Sequence, residues 1–437
     1  MWSVCGSTRC RARRTSSEEE PAVHERARPE RSCARREVMR ERPEAPSIRF
    51  TRRELLRQGG IAALALGGLP ALLEACSSSS SPTPAGGSSG SSAADISGTT
   101  LDFYSWQGYD IPVKPIKEWL KSNDVTIKPS YINTHDDITA KFTTGGGRGN
   151  YNLSTYEAGW GPLYIQLGIP SVLDVSKVPN FQKAYEVFKT GTAGKWFNVN
   201  GNQYAFPFTW GVQGINYQSD AIDAPTSYRD LLGPSFKNKF GITDDPVATT
   251  VIGAYTLGIY RADSLYTPDQ LSQIMSFWTQ MKGNARLIVP SYGNMADLLA
   301  SGEIVAGTPG WAAVNSFAAD KGDNAVKHTV PKEGAATFCD AYMIPADAPN
   351  PDTAYAFINE AFTPQAQAAE AAYLVQACVV PDALTLMDPA TKALYPYDQI
   401  EQLLTTTAPL EAIPAQVPSG YANYQDWVKG WEGVKAS

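Results

Sequence analysis

Histidine and long apolar runs are scarce in this sequence, and both shortages limit what the chain can do. Only 3 of the 437 residues are histidine, and two of them, His135 and His328, lie after residue 97. Histidine-rich metal centres and histidine-based acid–base catalysis are therefore poorly supported. The body also lacks the G-x-S-x-G and H-E-x-x-H patterns of common hydrolases. We accordingly expect no metal, no cofactor and no catalytic residue, and a secreted enzyme is the less favoured class.

Charge is distributed unevenly along the chain. Residues 1–75 hold 15 Lys and Arg against 10 Asp and Glu, whereas the whole chain holds 37 against 44. The remaining residues therefore hold 22 basic and 34 acidic side chains. An acidic body disfavours nucleic acid as a partner and is compatible with cationic ligands. With 43% hydrophobic residues, the body has ample material for a core.

The first 75 residues are predicted to contain a disordered extension and an export signal rather than a folded domain. Residues 1–50 are rich in Arg, Glu, Ser and Pro, which indicates a disordered extension, and Met39 is an alternative start. Arg52-Arg53 begins a segment similar to the twin-arginine export signal. The apolar run 61–73 is too short to span a bilayer and has the length of a signal-peptide core.

An anchor and a tether are predicted next. Cys76 follows Leu73-Glu74-Ala75, which resembles the lipobox of bacterial lipoproteins, so residues 51–75 are expected to be a signal peptide and Cys76 its lipidation site. Residues 76–97 consist almost entirely of Ser, Gly, Ala, Pro and Thr, which is typical of a flexible tether. This order predicts a body held by lipid in the periplasm or at the outer face of a membrane.

From residue 98 the chain alternates between strand and helix patterns. Residues 99–104 predict a strand and 111–122 a helix; the pattern repeats with a strand at 125–131 and a helix at 136–144. After residue 240 the alternation recurs. Such alternation predicts an α/β protein with a mainly parallel sheet.

Several blocks of the body resemble the spermidine/putrescine-binding family of ABC-transporter substrate-binding proteins. The blocks occur in the family's order and are Phe103–Tyr109, Ser154–Tyr156, Tyr204–Tyr217, Ser227–Asp245 and Val330–Ala346. The resemblance implies a two-lobed periplasmic-binding-protein fold of type II, with a ligand cleft between lobes that close by a hinge. It also implies an ABC permease and ATPase as partners, and we expect a monomer.

The order of the blocks sets the predicted lobe limits. Lobe 1 is expected at 98–211 plus 337–385, and lobe 2 at 212–336 plus 386–437. The Tyr204–Tyr217 block resembles the strand that crosses between them.

The resemblance also assigns residues to the ligand site. The predicted contacts are Trp106, Gln107, Tyr109, Ser154, Tyr156, Asp245, Trp311, Phe338, Asp340 and Gln416, with Glu157 and Cys378 as further candidates. Phe338 and Asp340 alternate, so both point into the cleft if they lie on a strand. Strand alternation places Glu157 opposite Tyr156. Cys339 and Cys378 either pair in an oxidising compartment or stay as buried thiols.

Carboxylates of the family are missing at several positions. Gly108 and Ala248 stand where spermidine binders carry acids, and Val314 where putrescine binders tend to carry one. The hypothesis is an amine with fewer or differently spaced cations: putrescine, or an amine-bearing zwitterion such as an amino-acid derivative. A betaine, a sugar and ferric iron remain as alternatives on the same fold.

Overall fold

The computed structural model describes residues 95–132 and 134–437. The export segment, Cys76 and residues 76–94 of the tether lie outside these residues. The described part of the chain contains twelve strands: β1 Thr100–Ser105, β2 Thr126–Tyr131, β3 Leu153–Glu157, β4 Asn198–Val199, β5 Asn202–Gln203, β6 Phe206–Gln218, β7 Phe240–Thr243, β8 Leu287–Val289, β9 Ala306–Gly310, β10 Val326–Thr329, β11 Ala336–Met343 and β12 Ala377–Cys378.

Thirteen α-helices accompany the strands in the described residues. They are α1 Lys114–Ser122, α2 His135–Thr143, α3 Gly161–Gln166, α4 Glu186–Lys189, α5 Pro246–Leu257, α6 Pro268–Asn284, α7 Tyr292–Ala300, α8 Ala312–Ala319, α9 Pro351–Ala361, α10 Pro364–Leu374, α11 Pro389–Lys392, α12 Ile400–Gln402 and α13 Tyr424–Ala436. Among them, no helix is long and apolar enough to cross a membrane.

Strand β6 belongs to both halves of the main sheet. The sheet order is β2-β1-β3-β11-β6-β9-β7-β8, and β10 and β12 also pair with β6. The first part of β6 pairs with β11 and β12, whereas its last part pairs with β9 and β10. Parallel pairs β1–β2 and β7–β8 lie at the two outer ends. The α/β arrangement agrees with the alternation of strands and helices, but the expectation of a mainly parallel sheet is wrong. In the described main sheet β1–β2, β1–β3, β7–β8 and β7–β9 pair in parallel, whereas all pairs made by β6 and β11 are antiparallel.

Separate apolar cores lie on the two sides of β6. One core gathers side chains from Leu101 to Val212 and from Cys339 to Ile413; another gathers side chains from Ile215 to Ala306 and from Ala422 to Val434. Residues 395–413, which the sequence placed in lobe 2, pack their apolar side chains into the first core. This packing favours a lobe limit nearer residue 414 than 386; the lobe limits themselves stay a prediction.

Local sequence signals account for the ends of the helices near the cleft. Helix α6 begins with a capping box in which Thr267 and Gln270 satisfy each other's backbone N–H groups. Helix α5 begins at Asp245, whose carboxylate accepts from two backbone N–H groups, and ends at Gly258 with φ +71°. That left-handed conformation is costly for residues with a side chain and easy for glycine.

Candidate functional site

A cavity of about 620 Å³ lies between the two halves of the sheet. Its walls come from the ends of β1, β3, β7 and β11, from helices α2, α5 and α7, and from the loop before α13. The acidic residues of the lining are Glu157, Asp244, Asp245, Asp340 and Glu411. The aromatic ones are Trp106, Tyr109, His135, Trp160, Tyr292, Trp311, Phe338 and Tyr424. Among the described residues, no Lys or Arg lines this cavity.

Three of these acids, which we call the acid triad, lie in series on one wall: Asp340, Glu157 and Glu411. Asp340 on β11 stands directly opposite Glu157 on β3 in the antiparallel register, so their side chains are neighbours. Glu411 packs against Glu157 across Gly159, where an added Cβ would lie 2.8 Å from the Glu411 carbonyl oxygen and 3.2 Å from Glu157 Oε2. The wall thus concentrates negative charge.

Burial and mutual repulsion hold protons on the acid triad. Burial, with the nearby Asp340 charge as a smaller cause, raises the pKa of Glu157 to about 8. Burial raises the pKa of Asp340 to about 7, and the hydroxyl of Tyr109 partly offsets this by donating to Asp340 Oδ2 at 2.6 Å. Burial and Glu157 also raise the pKa of Glu411 well above its usual range. A bound cation would favour the ionised forms.

The acids of the opposite wall are already bonded within the protein. Asp245 Oδ1 accepts from the backbone N–H groups of Val247 and Ala248 at 3.1 and 2.9 Å. Its Oδ2 accepts from Gln213 Nε2 at 3.2 Å and from the Tyr292 hydroxyl at 2.9 Å.

Asp244 is compensated as well. It accepts from Trp431 Nε1 at 2.7 Å and forms an ion pair with Lys435 at 2.9 Å. The carboxylates of the two walls therefore differ in how many hydrogen bonds they can still accept from a ligand.

Aromatic rings line the space between the walls. Trp311 meets Phe338 edge to face at 5.3 Å between ring centroids, and Tyr292 at 6.0 Å. His135 stacks on Trp160 at 5.2 Å. Burial lowers the pKa of His135 to about 3, so this ring is neutral at ordinary pH. Aromatic faces attract cations and cover methylene groups.

The cavity gathers most of the predicted acids and aromatics. Trp106, Tyr109, Asp245, Trp311, Phe338 and Asp340 all line it, and so does the further candidate Glu157. Phe338 and Asp340 lie on strand β11, as their alternation required. These positions agree with a ligand role, which stays a prediction.

Five predicted contacts do not line the cavity in this structure. Ser154 donates to the Tyr104 carbonyl and Tyr156 to the Trp196 carbonyl, each at 2.6 Å. They lie on the face of β3 opposite Glu157, and Glu157 is the residue of this strand that lines the cavity.

The other three lie elsewhere for different reasons. Gln107 is exposed in the turn after β1, and Gln416 is exposed and accepts from Gln166 Nε2 at 2.9 Å. Cys378 is buried where β12 pairs with β6.

Cys339 and Cys378 are both buried and unpaired. Cys339 lies opposite Trp210 on β11, and Cys378 lies opposite Thr209 on β12. Because β11 and β12 flank β6 on opposite sides, about two strand spacings, or roughly 10 Å, separate them. A disulfide requires Cα atoms within about 7 Å, which excludes a bridge in this fold.

Several lining residues were missed by sequence reasoning, and Glu411 is the most consequential. It lies in an irregular segment with no helical or strand period, so no pattern marks its direction. Trp160, Tyr292 and Tyr424 are aromatic residues outside the blocks of resemblance. Gln213 falls within the crossing-strand block, where its position between Val212 and Gly214 on a fully buried strand gave no separate signal.

A family model supports the resemblance. The model described as "Bacterial extracellular solute-binding protein" matches residues 114–394. The chain belongs to this family. A curated relative of this solute-binding protein, the spermidine/putrescine-binding periplasmic protein of Salmonella typhimurium, is 28% identical over 273 residues, which cover 62% of this chain and 75% of the relative. A putrescine/agmatine-binding protein of Pseudomonas aeruginosa is 22% identical and covers 75% of this chain and 92% of that one.

Solved structures match the solute-binding protein over 77% of its length. The PotD lipoprotein of Treponema pallidum has a TM-score of 0.64 at 20% identity and is covered completely, at 100%. The spermidine/putrescine ABC transporter substrate-binding protein PotD of Streptococcus pneumoniae has a TM-score of 0.61 at 20% identity, with 99% of that chain covered. These matches confirm the two-lobed α/β fold, and the curated relatives confirm the family resemblance.

Proposed function

We propose that this protein is the extracytoplasmic solute-binding subunit of an ABC importer and captures a polyamine, putrescine or spermidine, or a related small amine. The observation that carries the proposal is a cavity between lobes with five acids, many aromatic rings and no Lys or Arg among its described lining residues. Charge-assisted hydrogen bonds to carboxylate hold ammonium groups strongly. Each buried methylene contributes about 0.8 kcal/mol more.

An organic cation suits this cavity better than a metal ion. The described residues contain no group of three or more His, Cys, Asp or Glu side chains placed to hold a metal, although within the acid triad the charge of Asp340 raises the pKa of Glu157 and the charge of Glu157 raises the pKa of Glu411. Carboxylates spaced along a wall match donors spaced along an organic molecule. Ferric iron is therefore disfavoured, and so is a sugar, which offers no charge to compensate the acids.

The remaining parts of the proposal follow from the sequence. Export by the twin-arginine route, lipid attachment at Cys76, a location in the periplasm or at the outer membrane face, and a monomeric state complete it. Permease and ATPase subunits would receive the closed, loaded protein. No catalytic role is proposed.

Isothermal titration calorimetry of the full chain with putrescine, spermidine, glycine betaine and glucose tests the ligand class. We expect micromolar or tighter binding of an amine, which corresponds to about −8 kcal/mol or better, and no heat with glucose. Binding of glucose or betaine without binding of any primary amine would refute the proposal. A thermal shift gives a second readout, because ligand at about 100 times its Kd adds roughly 2.7 kcal/mol of stability.

A further inference from the structure

The two walls of the cavity offer a ligand different amounts of free hydrogen-bonding capacity. In the acid triad, Glu411 is 5% exposed and its Oε2 has no hydrogen-bond partner in the described structure. Asp340 is also 5% exposed and receives one protein donor, the Tyr109 hydroxyl. A buried carboxylate oxygen without a partner is costly. Glu157 Oε1 accepts from the backbone N–H of Gly159 at 3.1 Å. The acids of this wall therefore keep oxygens that can accept hydrogen bonds from an ammonium group.

The acids of the opposite wall already have protein hydrogen-bond donors. Four donors occupy the two oxygens of Asp245, and Lys435 compensates Asp244. A second ammonium placed here would have to displace the bond from Gln213 or Tyr292 to Asp245 Oδ2, or the Oδ1 bonds that cap helix α5, at a cost typical of losing a hydrogen bond or an N-cap. No other acid lines this wall among the described residues.

Neutral polar groups, by contrast, are available on this wall. The donors of Tyr292 and Gln213 are used within the protein, but Gln213 keeps its side-chain oxygen as an acceptor. Trp311 Nε1 is a buried donor without an acceptor in the described structure. Such groups bond an amide or a hydroxyl of a ligand without needing a second charge. A ligand carboxylate would instead face Asp245, which has no cationic partner among its four donors.

We propose that the ligand is asymmetric in charge: a primary ammonium meets the acid triad, and an uncharged amide or hydroxyl end meets Gln213, Tyr292 and Trp311. A mono-acylated diamine is the simplest member of this class. This inference rests on the proposed function, since it assigns which small amine the same cavity prefers. It makes Asp245 a residue that positions the wall, through helix α5 and Tyr292, rather than a second site for an ammonium.

Three probes with one four-carbon chain separate the possibilities by calorimetry on the full chain. Putrescine, N-acetylputrescine and 4-aminobutanoate share the primary ammonium and differ at the far end, which is cationic, neutral or anionic. We expect N-acetylputrescine to bind at least about tenfold tighter than either of the others, in line with the penalty for a mismatched charge. Equal or tighter binding of putrescine or of 4-aminobutanoate would overturn the inference and leave the proposed function standing. Absence of heat with all three would overturn the inference, and titration with spermidine would then decide whether the proposed function stands.

A matched pair of variants, one on each wall of the cavity, tests which wall binds an ammonium group. Asp245→Asn keeps an N-cap side chain and removes the charge, so we expect it to weaken putrescine no more than it weakens N-acetylputrescine. Asp340→Asn should weaken all three probes by about tenfold or more, as expected for loss of a charge partner. A tenfold loss for putrescine alone in Asp245→Asn would identify Asp245 as a second ammonium site and overturn the inference. Circular dichroism and a thermal melt of each variant verify folding.

Discussion

Ligand affinity should fall steeply as the pH falls from 8 to 6. Glu157 and Asp340 have pKa values raised to about 8 and about 7 in the ligand-free cavity. A cation bound to them favours their ionised forms, so protons must leave when it binds. A primary ammonium has a pKa near 10, like that of lysine, and stays charged over this range. The titrating groups are therefore those of the protein.

The size of the effect follows from these two pKa values. If Asp340 alone must ionise, affinity falls about tenfold between pH 8 and pH 6; if Glu157 alone must ionise, it falls about fiftyfold. If both must, the factors multiply to about 500-fold. Glu157 opens towards cavity water, so we expect a result between the first and the last of these values.

Calorimetry with putrescine at pH 6, 7 and 8, in pairs of buffers with different ionisation enthalpies, measures both the affinity and the protons released. Proton release near pH 7 makes the observed heat depend on the buffer. In Asp340→Asn the pH dependence should flatten, because one titrating group is gone. An affinity constant within about threefold from pH 8 to pH 6, with heats independent of buffer, would show that the acid triad does not compensate the ligand charge.

Three further outcomes are expected. Asp340→Asn should stabilise the ligand-free protein by about 2–4 kcal/mol at pH 9 and by little at pH 4 in urea titrations, because an acid whose folded pKa is raised to about 7 loses stability as pH rises towards and through that value; equal stability at pH 9 would contradict this. Gly211→Ala should weaken putrescine binding about tenfold without removing a polar group, since an added Cβ would lie 2.3 Å from the Phe338 ring and push it towards the cavity; unchanged affinity in calorimetry would show that the ring yields elsewhere. Cys339 and Cys378 should be found as unlinked thiols in non-reducing peptide maps, and a peptide joining them would contradict the strand order.

The regular elements were predictable because their apolar periods are strong. The strand expected at 99–104 is Thr100–Ser105, and the helix expected at 136–144 is His135–Thr143. The helix expected from residue 111 begins only at Lys114. Ile111 has φ +44°, a left-handed conformation that interrupts the helical path although its side chain is apolar and buried. The spacing of apolar residues reflects which side chains are buried, and the side chain of Ile111 is buried although its backbone is not helical.

Residues of the site could be predicted from the sequence only where they lie on strands. Alternation on β11 correctly placed Phe338 and Asp340 together, since a strand's period of two leaves only one choice of face. On β3 the same rule left two choices, and the resemblance favoured the face of Tyr156 over that of Glu157. Glu411 lies in an irregular segment whose direction depends on long-range packing against Gly159, which no local pattern encodes.

Strand β6 changes its partner strands at Gly214, and the backbone N–H of Gly214 has an unusual hydrogen-bond acceptor there. Its N–H donates to the side-chain nitrogen Nε2 of His328 at 3.2 Å rather than to a carbonyl of a neighbouring strand. The acceptor must be a neutral imidazole, and burial lowers the pKa of His328 to about 4. Protonation of His328 near pH 4 would remove this acceptor and break the bond. The hydrogen exchange of this single amide would therefore report on the segment where β6 passes from β11 to β9.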